Sequence, residues 1–209
     1  VDLNSNLSKE HDIKFINKRD DLTSNFLETF KPDYVFFAHW NWLVEENIYQ
    51  NYKCIVFHTS PLPYGRGGSP IQNLILNGFK TTPICAIKMV DELDAGPIYS
   101  KREISLDGSL EQIFIRINIS INEIIFDIVN KSIEPQEQIG KVYKFKRLKD
   151  EDNKIPAGIE LDQIYDRVRM LDHHSYPSAY IKYGDIKLEL SNAELSDSEL
   201  MVKCKITKC

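Results

Sequence analysis

The chain has 209 residues, room for one medium domain or for a domain with a small appendage. Hydrophobic residues at 42% and charged residues at 27% are globular values, which exclude a disordered chain and allow a real core. A formal charge of −5 gives no general attraction to phosphate backbones and counts against a nucleic-acid partner unless a local basic patch overrides it; no apolar run reaches the ~18 residues of a membrane span, and no signal-peptide pattern is visible. The start, Val1-Asp2-Leu3-Asn4, reads as the middle of an element, with something upstream of it. Lys14 to Asn17 is a short strand candidate. Leu22 to Phe30 has apolar residues at 22, 26, 27 and 30, a helical spacing closed by Pro32. Tyr34 to Ala38 reads as a buried strand, Val44 to Tyr52 as a short helix, and Ile55 to His58 as the next strand. The Pro- and Gly-rich stretch that follows is too broken for helix or sheet. Ser69 then serves as N-cap and Pro70 as first residue of a helix that Gly78 stops.

Strand and helix alternate over the first hundred residues. This predicts an α/β fold with a mostly parallel sheet covered by helices. Ile84 to Val90 and Ile98 to Ile104 read as a strand pair around an acidic turn. Ser109-Leu110-Glu111-Gln112 is a capping-box start to a long helix ending near Lys131. Composition shifts at Pro135. Residues 136 to 158 are polar, with Lys144, Lys146, Arg147 and Lys149 clustered, and read as a solvated linker. Leu161 to Leu171 is a short amphipathic helix. Residues 176 to 206 read as extended segments broken at Gly184-Asp185 and Ser196-Asp197-Ser198, a small antiparallel β appendage. The expected organisation is a catalytic domain over 1–135, a linker over 136–158 and a small α+β module over 159–209.

Cys54, Cys85, Cys204 and Cys209 show no zinc spacing, and the first two fall in apolar runs. Buried free thiols and a reducing, cytoplasmic setting are expected. The chemistry concentrates between Cys54 and Tyr99. Three apolar residues deliver His58 to a strand end. Arg66 sits in an eleven-residue loop after it, long for a simple strand–helix link. Such a loop lets backbone approach a ligand closely. The second apolar run ends at Asp91, Glu92 and Asp94. In open α/β sheets ligands bind at the carboxyl ends of strands. An imidazole with a carboxylate partner is a common general acid–base unit. Each group alone has a bland reading, His58 as a structural histidine and Asp94 as a solvated hairpin tip. A metal site in the acidic turn lacks a second ligand cluster. Trp40-Asn41-Trp42 suits either a planar ring ligand or core packing. His11, His173 and His174 lie in polar surroundings and are expected at the surface. Tyr176-Pro177 and Tyr180 suggest an aromatic patch, packing or ligand-facing.

His58-Thr-Ser-Pro-Leu-Pro-Tyr-Gly-Arg-Gly-Gly-Ser-Pro-Ile-Gln resembles the formyltransferase signature His-x-Ser-x-Leu-Pro-x-x-Arg-Gly-x-x-Pro-Ile-Gln. Leu93-Asp94-Ala95-Gly96 resembles the second signature, Leu-Asp-Thr-Gly, about 36 residues further on. The chain is thus similar to the folate-dependent formyltransferase superfamily over roughly residues 12 to 130. The loop wording and the tail from Leu171 to Tyr180 are most similar to the branch acting on nucleotide-linked amino sugars, of the pseudaminic acid type. The resemblance implies a Rossmann-type sheet with helices on both faces, whose first strand lies upstream of this chain. It implies 10-formyltetrahydrofolate as formyl donor and no metal. His58 and Asp94 would be the catalytic pair. Trp40, Asn41, Trp42, Arg66, Gly67, Val90 and Glu92 would line the folate site. Thr59, Tyr64 and Lys88 would meet the acceptor, with Arg66, Lys88 and Lys101 as candidates for its phosphates. A small-molecule nucleotide-sugar acceptor is the partner implied, with no nucleic acid, no membrane and a homodimer as a candidate assembly. Two departures stand out. Val56 occupies the position of the family's Asn, and the first strand is missing. The rival readings are a glycinamide ribonucleotide or a methionyl-tRNA formyltransferase, and, from another class, a catalytically silent folate- or nucleotide-binding module.

Overall fold

The computed structural model describes residues 7–208. The chain start at Val1 to Asn4 and Cys209 lie outside the described residues. The chain divides into two compact units, the first formed by Val1–Arg66, Pro83–Arg102 and Asn118–Val142, the second by Gly67–Thr82, Glu103–Ile117 and Tyr143–Cys209. The fold is α/β with a four-stranded sheet and a C-terminal antiparallel sheet.

In the first unit, helix α1 spans Ser24–Phe30. Thr23 caps it by accepting from the Phe26 N–H at 3.1 Å. Leu22, just before the cap, and Leu27, in the first turn, share one core cluster, a hydrophobic staple that fixes the entry of the chain. Strand β1, Val35–Phe37, runs parallel to β2, Cys54–His58, in the register Val35↔Cys54. Between them lies α2, Glu46–Asn51, whose Ile48 is buried. The tetrapeptide Tyr64–Gly67 forms β3. Strand β4, Thr81–Lys88, pairs antiparallel with β2, placing His58 opposite Cys85, and β5, Ile98–Ser105, completes the order β1-β2-β4-β5. The sheet is therefore mixed, with a parallel pair at β1–β2 and an antiparallel one at β2–β4. Ile55, Ile84, Cys85 and Ala86 are fully buried. Cys54 and Cys85 are free and buried, and burial pushes the Cys54 thiol up to about 12.

Helix α3, Pro70–Leu76, opens the second unit. The long helix α4, Leu110–Lys131, contributes its first two turns to the second unit and the rest to the first. Its start is the expected capping box, with Ser109 N–H donating to Gln112 Oε1 and Gln112 N–H to Ser109 Oγ. Strand β6 is Tyr143–Phe145, and α5 is Leu161–Arg169. Strands β7 (Ala179–Tyr183), β8 (Ile186–Leu195) and β9 (Leu200–Lys208) form the antiparallel sheet, with Ala179 opposite Leu190 and Leu190 opposite Cys204. Helix α5 packs on β8. Among the described residues no helix is long and apolar enough to cross a membrane.

Three local expectations change. Lys14 to Asn17 is irregular rather than a strand; Phe15 is 58% exposed, so the segment buries too little to hold a ladder. The loop after His58 contains the strand β3, because the absent side chain of Gly67 lets the Phe145 carbonyl approach to 2.7 Å of where a Cβ would stand. Ser69 occupies the N-cap position of α3 at φ +49°, but its hydroxyl does not cap the helix. It accepts instead from the Leu148 N–H at 3.1 Å.

Candidate active site

Strand β2 ends on His58, whose neighbours Ile55 and Cys54 anchor it in the sheet core. The imidazole is buried. Nε2 lies 2.7 Å from the Gly65 carbonyl. A carbonyl only accepts, so Nε2 carries the proton. Nδ1 then faces Asp94 Oδ2 at 3.4 Å, and both side chains are shielded, at 8% and 9% exposure. A neutral ring with its proton on Nε2 presents a lone pair to a carboxylate there.

Asp94 comes from the turn between β4 and β5. Its φ is +55°, a left-handed conformation that aspartate tolerates better than most residues. Gly96 follows because nothing larger fits: a Cβ there would meet the Lys88 carbonyl at 1.7 Å. Arg66, also buried, donates to Gln138 Oε1 from Nε at 3.1 Å and from Nη2 at 2.8 Å. Its Nη1 reaches the exposed Glu92 at 3.4 Å, a longer and better solvated contact. Gln138 Nε2 donates in turn to the carbonyls of Asp94, 2.8 Å, and Gly96, 2.9 Å.

The structure thus gathers His58, Asp94, Arg66 and Glu92 around one turn and one loop. Thr59 is buried beside His58, Tyr64 and Val90 are half-buried, and Lys88 and Lys101 are exposed. Gly67 belongs to the second unit. Trp40 packs on the Leu27–Phe37 core, edge-on to Phe37 at 5.7 Å and to Trp42 at 4.8 Å. Its Nε1 is buried without a partner, while Trp42 is 46% exposed and Asn41 is exposed. An orphan indole donor beside an exposed aromatic face suits a planar heterocycle such as a pterin. Val56 is half-buried and packs against two core clusters of the first unit, a setting that suits an apolar side chain. A cavity of about 580 Å³ in the first unit runs along β1 and is lined by Phe15, Phe26, Phe36, Trp40 and Ile125. His58 and Asp94 are not among its walls.

Two site residues escaped sequence reading. Gln138 was absorbed into a polar linker. Ser60, two residues past His58, has a buried hydroxyl with no hydrogen-bond partner; its only sequence signal is the His-x-Ser spacing. His173, expected at the surface, is half-buried in the second unit, edge-on to Phe114 at 4.9 Å and 4.1 Å from the His174 ring. Burial first, then His174, push its pKa below 6.5, against Glu111. Among the described residues no cluster of three or more metal-ligating side chains occurs.

Fold and site together define an α/β protein with a shielded histidine–carboxylate pair at the ends of its strands. The family model described as formyl transferase matches residues 5–118, and that described as methionyl-tRNA formyltransferase, C-terminal domain, matches residues 150–207. The chain belongs to the formyl transferase family. It is 29% identical over 206 residues to the methionyl-tRNA formyltransferase of Thermotoga maritima, covering 92% of this chain and 64% of that protein. It spans about three fifths of the curated relatives it matches, 64% and 59% of two of them. Among solved structures, the methionyl-tRNA formyltransferase from Clostridium thermocellum is 40% identical with a TM-score of 0.89, over 93% of this chain and 86% of that one. A 4-N formyltransferase from Francisella tularensis is 20% identical with a TM-score of 0.61, over 77% and 69%; that likeness shows the fold alone.

Proposed function

We propose that this chain moves a formyl group from 10-formyltetrahydrofolate to the amine of methionyl-tRNA. The observation that carries this reading is the 40% identity, over 93% of the chain, to a structure of a methionyl-tRNA formyltransferase. The tail that reads as a sugar-branch module from sequence is matched by the C-terminal model of methionyl-tRNA formyltransferases, which supports the tRNA acceptor over the sugar. Charge is no obstacle. The deficit lies in residues 1–142, with 14 basic and 19 acidic residues, whereas residues 143–209 carry 12 of each. The register of β7, β8 and β9 also puts Lys182, Lys187, Lys203 and Lys205 on one face of the sheet, together with Glu189, which pairs with Lys187 and Lys205.

The chemistry uses the His58–Asp94 pair. The neutral amine attacks the formyl carbon. An N–C bond forms, and the carbonyl electron pair moves to oxygen. The nitrogen then sheds a proton to Nδ1 of His58 or to Asp94, since Nε2 is committed to the Gly65 carbonyl. Collapse of the adduct breaks the bond to folate N10, which takes a proton as it leaves. The products are a formamide and tetrahydrofolate. Holding the reacting atoms near ~3 Å is worth several kcal/mol. One donor to the developing oxyanion is worth ~3 kcal/mol, and it cannot come from Val56.

A nucleotide-linked deoxyamino sugar is the second reading, favoured by the wording of the loop from Thr59 to Gly68 and by the net charge of −5. The test offers purified protein, formyl donor and three acceptors: methionyl-tRNA, a nucleotide amino sugar and glycinamide ribonucleotide. Methionyl-tRNA should give the highest kcat/KM, and His58→Asn should lower it at least ~100-fold. Preference for the sugar installs the second reading. No turnover with any acceptor, despite folate binding, marks a silent module.

A further inference from the structure

We infer that Gln138 is a positioning residue: its amide clamps the turn that carries Asp94 to the guanidinium of Arg66, and so aims the carboxylate at His58. The kinetic part of this inference rests on the formyl-transfer reading above; the structural part does not.

A side-chain amide offers two N–H donors and one carbonyl oxygen with two lone pairs. Gln138 uses all four. Oε1 accepts from Arg66 Nε at 3.1 Å and Nη2 at 2.8 Å. Nε2 donates to the Asp94 carbonyl at 2.8 Å and the Gly96 carbonyl at 2.9 Å. The orientation of the amide is forced, because a guanidinium only donates and a carbonyl only accepts. Glutamate at this position would keep the Arg66 contacts and turn a carboxylate oxygen towards two carbonyls. Leucine would lose all four bonds. Asparagine, one methylene shorter, would not span both partners.

The turn needs such a clamp. Asp94 sits at φ +55°, a left-handed conformation that strains an L-residue. A strained residue persists only where its surroundings over-determine it. The carbonyls that Gln138 holds belong to residues 94 and 96, so the backbone is pinned on both sides of Ala95. Gly96 is wedged against Lys88 as well. Released from the amide, the Asp94 backbone relaxes towards negative φ. Its carboxylate then leaves the position 3.4 Å from Nδ1 of His58. Arg66 loses its two shorter contacts and keeps the exposed Glu92 at 3.4 Å.

The experiment compares Gln138→Glu, close to isosteric and the safer variant to fold, with Gln138→Leu, each alone and in an Asp94→Asn background. Two readouts are taken: formyl-transfer kinetics and crystal structures of the single variants. Both single variants should lose roughly 10–100-fold in kcat, the cost of a misplacement near 1 Å, with a smaller change in KM. In the Asp94→Asn background neither should cost more than about twofold further, because Gln138 acts through Asp94. In the crystals Asp94 should leave the left-handed region. A merely structural role would lower the melting temperature and leave these couplings unmoved. The inference is overturned if Gln138→Glu keeps kcat within about twofold, if the losses multiply with that of Asp94→Asn, or if Asp94 stays at positive φ beside His58. An inactive wild type would refute the proposed function, and the crystal structures alone would then decide the role of Gln138.

Discussion

Replacing Gly96 with alanine tests the geometry of the site through stability and turnover together. The added Cβ would stand 1.7 Å from the Lys88 carbonyl oxygen and 2.8 Å from its carbonyl carbon. A comfortable C···O contact is about 3.3 Å, so the turn and β4 must part by roughly 1.5 Å. Both sides are backbone, and no rotamer change relieves the clash. The same place is zipped by the Lys88 N–H donating to the Pro97 carbonyl at 2.8 Å. Overpacking costs about 1–3 kcal/mol and the lost hydrogen bond about 0.5–1.5 kcal/mol, together near 2–4 kcal/mol. For a chain of this size that is a fall in melting temperature of roughly 5–15 °C. Asp94, two residues away, moves with the turn, and turnover should fall by up to ~100-fold in whatever fraction remains folded. Gly78→Ala is the control. Its Cβ meets nothing within 4 Å, but φ is +80°. It should cost about 1–2 kcal/mol of strain and leave kcat unchanged. Calorimetry and a formyl-transfer assay on both variants make the comparison. A Gly96→Ala protein that melts within about 2 °C of wild type and turns over normally would refute the packing, and with it the placement of Asp94.

Two further perturbations read other parts of the molecule. His173 has its pKa depressed below 6.5 in the folded state, chiefly by burial, so the unfolded chain binds the proton first as pH falls; the stability it contributes is complete above 6.5 and is lost as pH drops through the folded value. Urea midpoints measured from about pH 8 to 5 should fall more steeply for wild type than for His173→Phe, and equal slopes would refute this. Ser60→Ala removes a buried hydroxyl that has no partner, so the melting temperature should hold or rise by up to ~2 °C; a drop of several degrees would reveal a bond to that hydroxyl.

Sequence reading located the elements that carry the chemistry because their signals are local. The run Cys54–His58 is apolar up to the histidine, and the structure buries it as a strand. Ser109 and Gln112, three residues apart, announce a cap that forms. The acidic turn lies between two apolar runs, so a carboxylate near the end of β4 was legible. Pairing was less so. Nothing in the run Ile84 to Lys88 distinguishes a parallel from an antiparallel neighbour, since a strand buried on both faces reads the same either way. Ser69 shows how far local chemistry can mislead. Ser-Pro before an apolar stretch is a sound capping signal, yet the hydroxyl finds a better partner in Leu148, 79 residues away. Gln138 is the same lesson at the site itself. Its partners lie 72, 44 and 42 residues back along the chain, in segments read separately as a glycine-rich loop and an acidic turn. No composition or period marks a glutamine in a polar stretch as different from its neighbours. What distinguishes it is a matched set of two donors and two acceptors, which exists only once the loop and the turn have been brought together. The candidate histidine and carboxylate were therefore legible in the sequence, whereas Gln138, which bonds to both the loop and the turn, emerged only from the fold.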